Sequence, residues 1–390
     1  FDDALAFQQL LTSLQFVTTV VVVTLVVVIV RQRRVDVTWG FKVTHLLPAV
    51  LQGVLFAYWF AHWPTGRQFI PSVTMLLVLS FPADMALSVL ARGTWRAGAG
   101  PLPVVLSTYL LAQFTGTDWW MGSLGVFLGL ATKHFIQRDG RPVFNPSAVG
   151  LMAMAILDLG FVHSTPDFAH EFASPPNIVE LVLVLALIVQ LRVPIVLVTL
   201  AASLTLVVVP WLFSLTESIS PTFAPVTVVL CLLITDPSTM PKTQPGRVLF
   251  GVAVALGMVA LQAALFATGH SDFWSKVAFV PLVNFLTLRF DAWGARMGAW
   301  LGRRTHRSSP LDPKYNLFHV ALWFAFALLL LQDSKGGHFN SDVGGSAESP
   351  CYVSAPEGRR CDTNPMFCTP FSIVQEVRCW MRRPAPPSRR

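Results

Sequence analysis

Apolar positions in this chain come in long blocks. Phe16–Val30, Ile178–Gln190 and Val248–Thr268 contain no Lys, Arg or Asp, and Glu180 is their one charged residue. Alone or with their neighbours, such blocks are long enough to cross a hydrocarbon core of about 30 Å. Along the whole chain the pattern predicts twelve spans, at roughly 12–30, 43–61, 69–90, 101–114, 119–136, 144–162, 177–191, 193–214, 222–235, 248–268, 275–290 and 316–331. The expected class is an all-α polytopic membrane protein. Opening on Phe1, the sequence reads as processed or incomplete, and its start lacks the pattern of a signal peptide.

Composition agrees with that class. The chain is 53% hydrophobic and 13% charged, with a mean hydropathy of +0.58, where a soluble domain carries about 25% charged residues. A net charge of +7 raises the question of nucleic acid, but the charges lie in short loops between apolar blocks, so no nucleic-acid partner is expected. Alternate loops hold Arg31, Arg33, Arg34 and Lys42, then Arg92 and Arg96, then Lys133, Arg138 and Arg141, then Arg192, then Lys242 and Arg247, then the basic stretch from Arg289 to Lys314. The opposite short loops and span starts hold Arg67 and Lys276. The positive-inside rule makes the first set cytoplasmic and puts both termini outside. The expectation is a multi-pass protein of the bacterial inner membrane, with lipids as partners and a periplasmic tail. Trp119, Trp120, Trp211 and Trp274 fall at outer boundaries, as an aromatic belt would.

Two spans are short and interrupted by Pro. The stretch Pro101–Leu111 contains Pro103 and is followed by Thr115-Gly-Thr-Asp118. The stretch Thr222–Leu233 contains Pro225 and is followed by Ile234-Thr-Asp-Pro237. They are the fourth and ninth spans, each third in a block of five. Because five is odd, the second block would be inverted relative to the first, and broken helices at matching places mark a site at a repeat interface. Two Pro-kinked helices with a chance match are the other reading.

Two of the basic loops are chemically rich. One runs from Lys133 through Phe144-Asn-Pro-Ser-Ala-Val-Gly150; the other runs from Leu233 through Thr235-Asp-Pro and Pro245-Gly-Arg-Val-Leu-Phe-Gly251. Each places an amide or carboxylate before Pro at a membrane boundary, so Asn145 can cap the sixth span and Asp236 can accept from freed backbone N–H groups. Ordinary helix caps in positive loops account for the same residues.

These runs, with Leu130-Ala-Thr-Lys-His-Phe135 and Asn284-Phe-Leu-Thr-Leu-Arg-Phe290 in support, resemble the RnfD/NqrB family. Its members are membrane components of the Rnf electron-transport complex and of the sodium-pumping NADH:quinone reductase. The resemblance covers about residues 40–305. It implies a ten-helix core of two inverted five-helix repeats, and the first and twelfth spans lie outside it as one extra N-terminal and one extra C-terminal transmembrane helix. The corresponding division is 1–38, 39–305, 306–334 and a tail at 335–390. The function implied is that of a membrane subunit of an electron-transport complex, relaying electrons through flavin, in some members with coupled movement of Na⁺ or H⁺. Family members carry FMN linked through phosphate to a Thr in a Ser-x-Ala-Thr motif on the outer side, and a non-covalent riboflavin nearer the cytoplasm. No Ser-x-Ala-Thr follows the sixth span here. The nearest match is Val162-His-Ser-Thr-Pro-Asp-Phe168, which makes Thr165 the covalent candidate and non-covalent flavin the leading expectation. Asn145 and Asp236, with nearby backbone groups, are the candidates for the polar ring edge, and Thr235 is a further cofactor-binding candidate. Lys133, Arg141, Lys242 and Arg247 are the candidates to stabilise an anionic ring or a phosphate.

Outside the motifs, Cys351, Cys361, Cys368 and Cys379 lie in the Pro-, Gly- and Ser-rich tail. An even count in an oxidising compartment reads as two disulfides, in any of three connectivities. Cys231 reads as a small buried residue. The segment Arg289–Arg307 interleaves Trp293 and Trp300 with arginines and suggests an amphipathic helix drawn to anionic lipid or a partner subunit. Two functions of other classes share the scaffold: a flavin-free channel or carrier, and an accessory subunit of a large membrane complex. No catalytic triad, phosphate loop or metal cluster points to a stand-alone hydrolase.

Overall fold

The computed structural model is mostly helical. It describes residues 21–28, 36–40, 43–62, 69–112, 119–162, 178–212, 229–268, 272–305 and 313–328, with single positions at 15, 18, 19, 30, 67, 226, 270 and 311. Contacts divide the chain between Leu330 and Leu331, and all of these residues belong to the first unit. The tail and its four cysteines lie outside the described residues, as does Thr165.

Strand β1 (Asp36–Trp39) leads into α1 (Val43–His62) and α2 (Ile70–Arg92), and β2 (Thr94–Ala97) returns to pair in parallel with β1, Asp36 opposite Thr94. Gly93 ends α2 in the left-handed conformation, φ 71°, with its N–H on the Val89 carbonyl, as a helix C-terminus favours. Next come α3 (Pro101–Ala112), α4 (Trp119–Phe135) and a hairpin of β3 (Gln137–Arg138) and β4 (Arg141–Pro142). Asp139 and Gly140 turn the hairpin with φ of 51° and 73°, the two positive values an Asp-Gly turn supplies. Helix α5 (Pro146–Leu157) runs into a π-helical turn at Asp158–Val162.

The second half holds α6 (Ile178–Arg192), α7 (Val196–Leu212), a π-helical turn at Val229–Leu233 and α8 (Gln244–Ala267). The expected eleventh span is broken. A 3₁₀ turn at Asp272–Trp274 is followed by α9 (Ser275–Ala278) and α10 (Val280–Phe285), and α11 (Thr287–Thr305) starts inside the range expected for that span. Residues 316–328 form α12.

Among the described residues, two helices are long and apolar enough to cross a membrane, Ile70–Arg92 and Gln244–Ala267. Shorter apolar helices occupy other expected spans, among them Pro101–Leu111, Pro146–Phe161 and Val196–Val209. One belt residue is corrected: Trp274 is fully buried, because its indole N–H donates to the buried Asp158 carboxylate at 2.6 Å. Cys231 is buried and free.

The core forms around α3, whose Val104, Val105, Leu110 and Leu111 are buried between α1, α2, α4 and α5. Most of these contacts have a counterpart in the second half. Helix α1 packs on α3, and α6 packs on the Val229–Leu233 turn. Helix α2 packs on α3 and α4, and α7 packs on that turn and on α8. Helix α3 meets α5, and the turn meets α9; α4 meets α5, and α8 meets α9. Between the halves, α1 meets α6, and α5 meets α9 and α10.

Helices α4 and α5 are in close contact where Gly125 faces Gly150 and Gly129 faces the Pro146 carbonyl, leaving no room for a side chain at Gly150. Small residues four apart on α4 allow this contact. Gly150→Val is expected to force the helices apart at a cost of about 1–3 kcal/mol, read as a lower melting temperature in detergent. An unchanged melting temperature would refute the close packing.

Candidate functional site

Three segments distant in sequence meet at Asn145. Its side-chain Oδ1 accepts from the N–H groups of Ser147 and Ala148 at 3.0 and 3.4 Å, capping α5. Its Nδ2 donates to the Leu233 carbonyl at 2.6 Å, and its main-chain N–H donates to Asn284 Oδ1 at 3.2 Å. Asn284 Nδ2 in turn donates to the Thr239 carbonyl, as does the Thr287 hydroxyl. The Phe144-Asn-Pro run, the Thr235-Asp-Pro loop and the Asn284–Phe290 segment are thereby joined in one buried junction. Asn145, Asn284 and Thr239 are each at most 5% exposed.

Around this junction the loop after Leu233 is held by its own side chains. Thr235 donates its hydroxyl to the Cys231 carbonyl at 2.7 Å. Asp236 accepts from the Ser238 N–H and hydroxyl and from the Thr239 hydroxyl, an Asx-type turn. At the start of α8, Asp291 of α11 accepts from the N–H groups of Lys242 and Thr243 at 2.7 and 2.9 Å. The Arg247 guanidinium donates to the carbonyls of Pro241 and Pro194, clamping this loop to the α6–α7 connection.

A second cluster forms around an acid the motifs do not contain. Asp84 sits inside α2, 6% exposed. Its Oδ1 accepts from Lys133 Nζ at 2.9 Å and lies 2.6 Å from His134 Nε2. Arg92 Nη2 is 3.0 Å from His134 Nδ1. A guanidinium has no acceptor atom, so Nδ1 must accept and Nε2 must carry the proton that faces Asp84. His134 is therefore held as the neutral Nε2–H tautomer. An acid within a predicted span is the sequence signal for this cluster, since a carboxylate in a membrane helix is costly and calls for a partner.

The expected site residues thus separate. Asn145, Thr235, Asp236 and Arg247 surround the junction, with Lys242 exposed at its edge. Lys133 is drawn to Asp84, and Arg141 is lifted onto the exposed β3–β4 hairpin. As a flavin site the set fits only in part. Both ends of the Asn145 amide, the Thr235 hydroxyl, the Lys133 ammonium and the Arg247 guanidinium already have protein partners. Asp236 keeps acceptor capacity, and Lys242 and Arg141 present exposed charge. Asn145 and Asp236 also perform the cap and turn roles that ordinary helix chemistry assigns them.

A third feature lies on α3. Gln52 Nε2 donates to Ser107 Oγ at 2.7 Å, while Gln52 Oε1 and the Thr108 hydroxyl are buried without a partner. Among the described residues no group of three or more His, Cys, Asp or Glu is arranged to hold a metal ion. No family model matches this chain, and no curated protein matches it.

Proposed function

We propose that this chain is a multi-pass subunit of an electron-transport complex in the bacterial inner membrane, built from two inverted five-helix repeats and holding a flavin non-covalently on the cytoplasmic side. The observation that carries the reading is the convergence at Asn145 of the three segments on which the family resemblance rests. The recurrence of most of the packing contacts in the second half, with α1 against α6 and α5 against α9 and α10 across the halves, supports the repeat. The basic loops around the junction support its cytoplasmic placement. Asp236 and Lys242 at the edge of the junction are the groups offered to a ring edge and its charge. The flavin would supply the redox chemistry, and the protein would orient it and exclude water. Neighbouring subunits would supply and remove electrons.

Absorbance and fluorescence of the gently purified chain, before and after acid precipitation, test this. Flavin released into the acid supernatant is the expected result, and flavin retained on the pellet would point to Thr165 or another covalent anchor. A colourless protein at full folded yield would sink the flavin reading.

A second reading is favoured by a separate observation. The unpartnered oxygens of Gln52 and Thr108, on and beside the Pro-initiated α3, are the kind of group that lines a path for water or a small polar solute. A flavin-free channel on the same scaffold would show solute flux in proteoliposomes that is reduced by Gln52→Leu. An accessory subunit would show neither flux nor flavin.

A further inference from the structure

The outward stripe of α11 has a chemistry that neither the junction nor the repeat explains. Positions 289, 293, 296 and 300 are spaced by four, three and four, which keeps them in one line along a helix. They read Arg, Trp, Arg, Trp. The opposite face is spent on the protein. Phe290 is buried, Gly294 lies against Thr243 and Gly246, and Asp291 accepts from the loop before α8. Asp291 is the one acid on this helix, so the outward side carries positive charge alone. Arg289 and Arg296 are exposed, and Trp293 and Trp300 are 50% and 45% exposed. Phe285, just before the helix, and Leu288 are 69% and 46% exposed.

Neither water nor hydrocarbon suits such a stripe. Water leaves two indoles half solvated, and a hydrocarbon core penalises each guanidinium by several kcal/mol. The layer where acyl chains meet phosphates suits both, because indoles settle at that depth and guanidinium binds phosphate bidentately. Cytoplasmic leaflets carry the anionic lipids that would complement the charge. We propose that α11 lies in the plane of the cytoplasmic membrane interface and binds anionic lipid headgroups through Arg289 and Arg296, with Trp293 and Trp300 seated beside them. This rests on the multi-pass reading, and it does not depend on flavin.

The test uses the full chain in vesicles of phosphatidylcholine, with or without phosphatidylglycerol, containing lipids brominated at shallow or deep positions. The fluorescence lost in a Trp293→Phe/Trp300→Phe variant isolates these two indoles. That component is expected to be quenched by shallow bromines more than by deep ones, and more strongly with phosphatidylglycerol present. Arg289→Gln/Arg296→Gln is expected to remove the phosphatidylglycerol dependence, each charge being worth about fivefold in lipid affinity. A component reached by aqueous iodide instead of bromolipid would overturn the proposal and point to a partner protein. Quenching indifferent to phosphatidylglycerol would overturn the headgroup contact. Release of the chain from membranes by alkaline carbonate would instead defeat the multi-pass reading itself, so the two failures are distinguishable.

Discussion

Asp84→Ala is expected to destabilise the protein by about 3–5 kcal/mol, the usual cost of leaving a buried charge uncompensated. The substitution removes the carboxylate that both Lys133 and His134 face, at 2.9 and 2.6 Å. Lys133 and Arg92 then remain together with no counter-charge between α2 and α4, and Arg92 Nε already lacks a partner. The measurement is the yield and melting temperature of monodisperse protein in detergent, beside Asp84→Asn and Lys133→Met. Asp84→Asn keeps the shape and loses the charge, so it is expected to fall nearly as far. Asp84→Leu/Lys133→Met removes both charges together and is expected to recover part of the loss, since an apolar pair can replace a buried ion pair while Arg92 and the His134 Nε2–H stay uncompensated. An Asp84→Ala protein that melts like the parent would show that the cluster carries no stability.

The second large effect is expected at Asn145. Asn145→Ala removes the cap of α5, worth about 1 kcal/mol. It also strands the buried Leu233 carbonyl, at about 1–3 kcal/mol, so the expected loss is about 2–4 kcal/mol. Asn145→Asp separates the two contributions, because a carboxylate still accepts from Ser147 and Ala148 and cannot donate to Leu233. Asn284→Leu tests the third side of the junction, where Asn284 accepts from the Asn145 N–H. Combined with Asn145→Ala, it is expected to cost less than the sum of the two, because both act on one network. Full additivity in thermal melts would mean the segments are not coupled through these residues. If flavin is present, retention of flavin by Asn145→Asp would show that this amide serves folding and not the ring.

Much of the junction is legible in the chain before any folding is considered. Asn145 before Pro146 announces a helix start, and Asp236 before Pro237 announces a turn; both roles appear in the structure. The π-helical turns are not legible, since one extra residue in a helical turn leaves no trace in an apolar run. The break of the eleventh expected span into α9, α10 and α11 is hidden in the same way. Trp274 reads as a belt residue because its partner Asp158 lies 116 residues away. Lys133 groups with the junction by nearness in sequence, whereas its charge is settled by an acid on another helix.

What the sequence by itself determined is the mainly helical class, the apolar blocks, and the local devices that start and stop them: the Asn145 cap, the Gly93 stop, the Asp139-Gly140 turn and the alternating stripe of α11. These depend on residues within about one or two turns of each other, so the local chain contains their cause. Tertiary structure alone decided which charges meet. Asp84 finds Lys133 49 residues away and His134 50 away, and Asn145 finds Leu233 across 88 and Asn284 across 139. A buried carboxylate or amide demands a partner of a given chemistry without specifying which one. Only the packing of whole helices selects it.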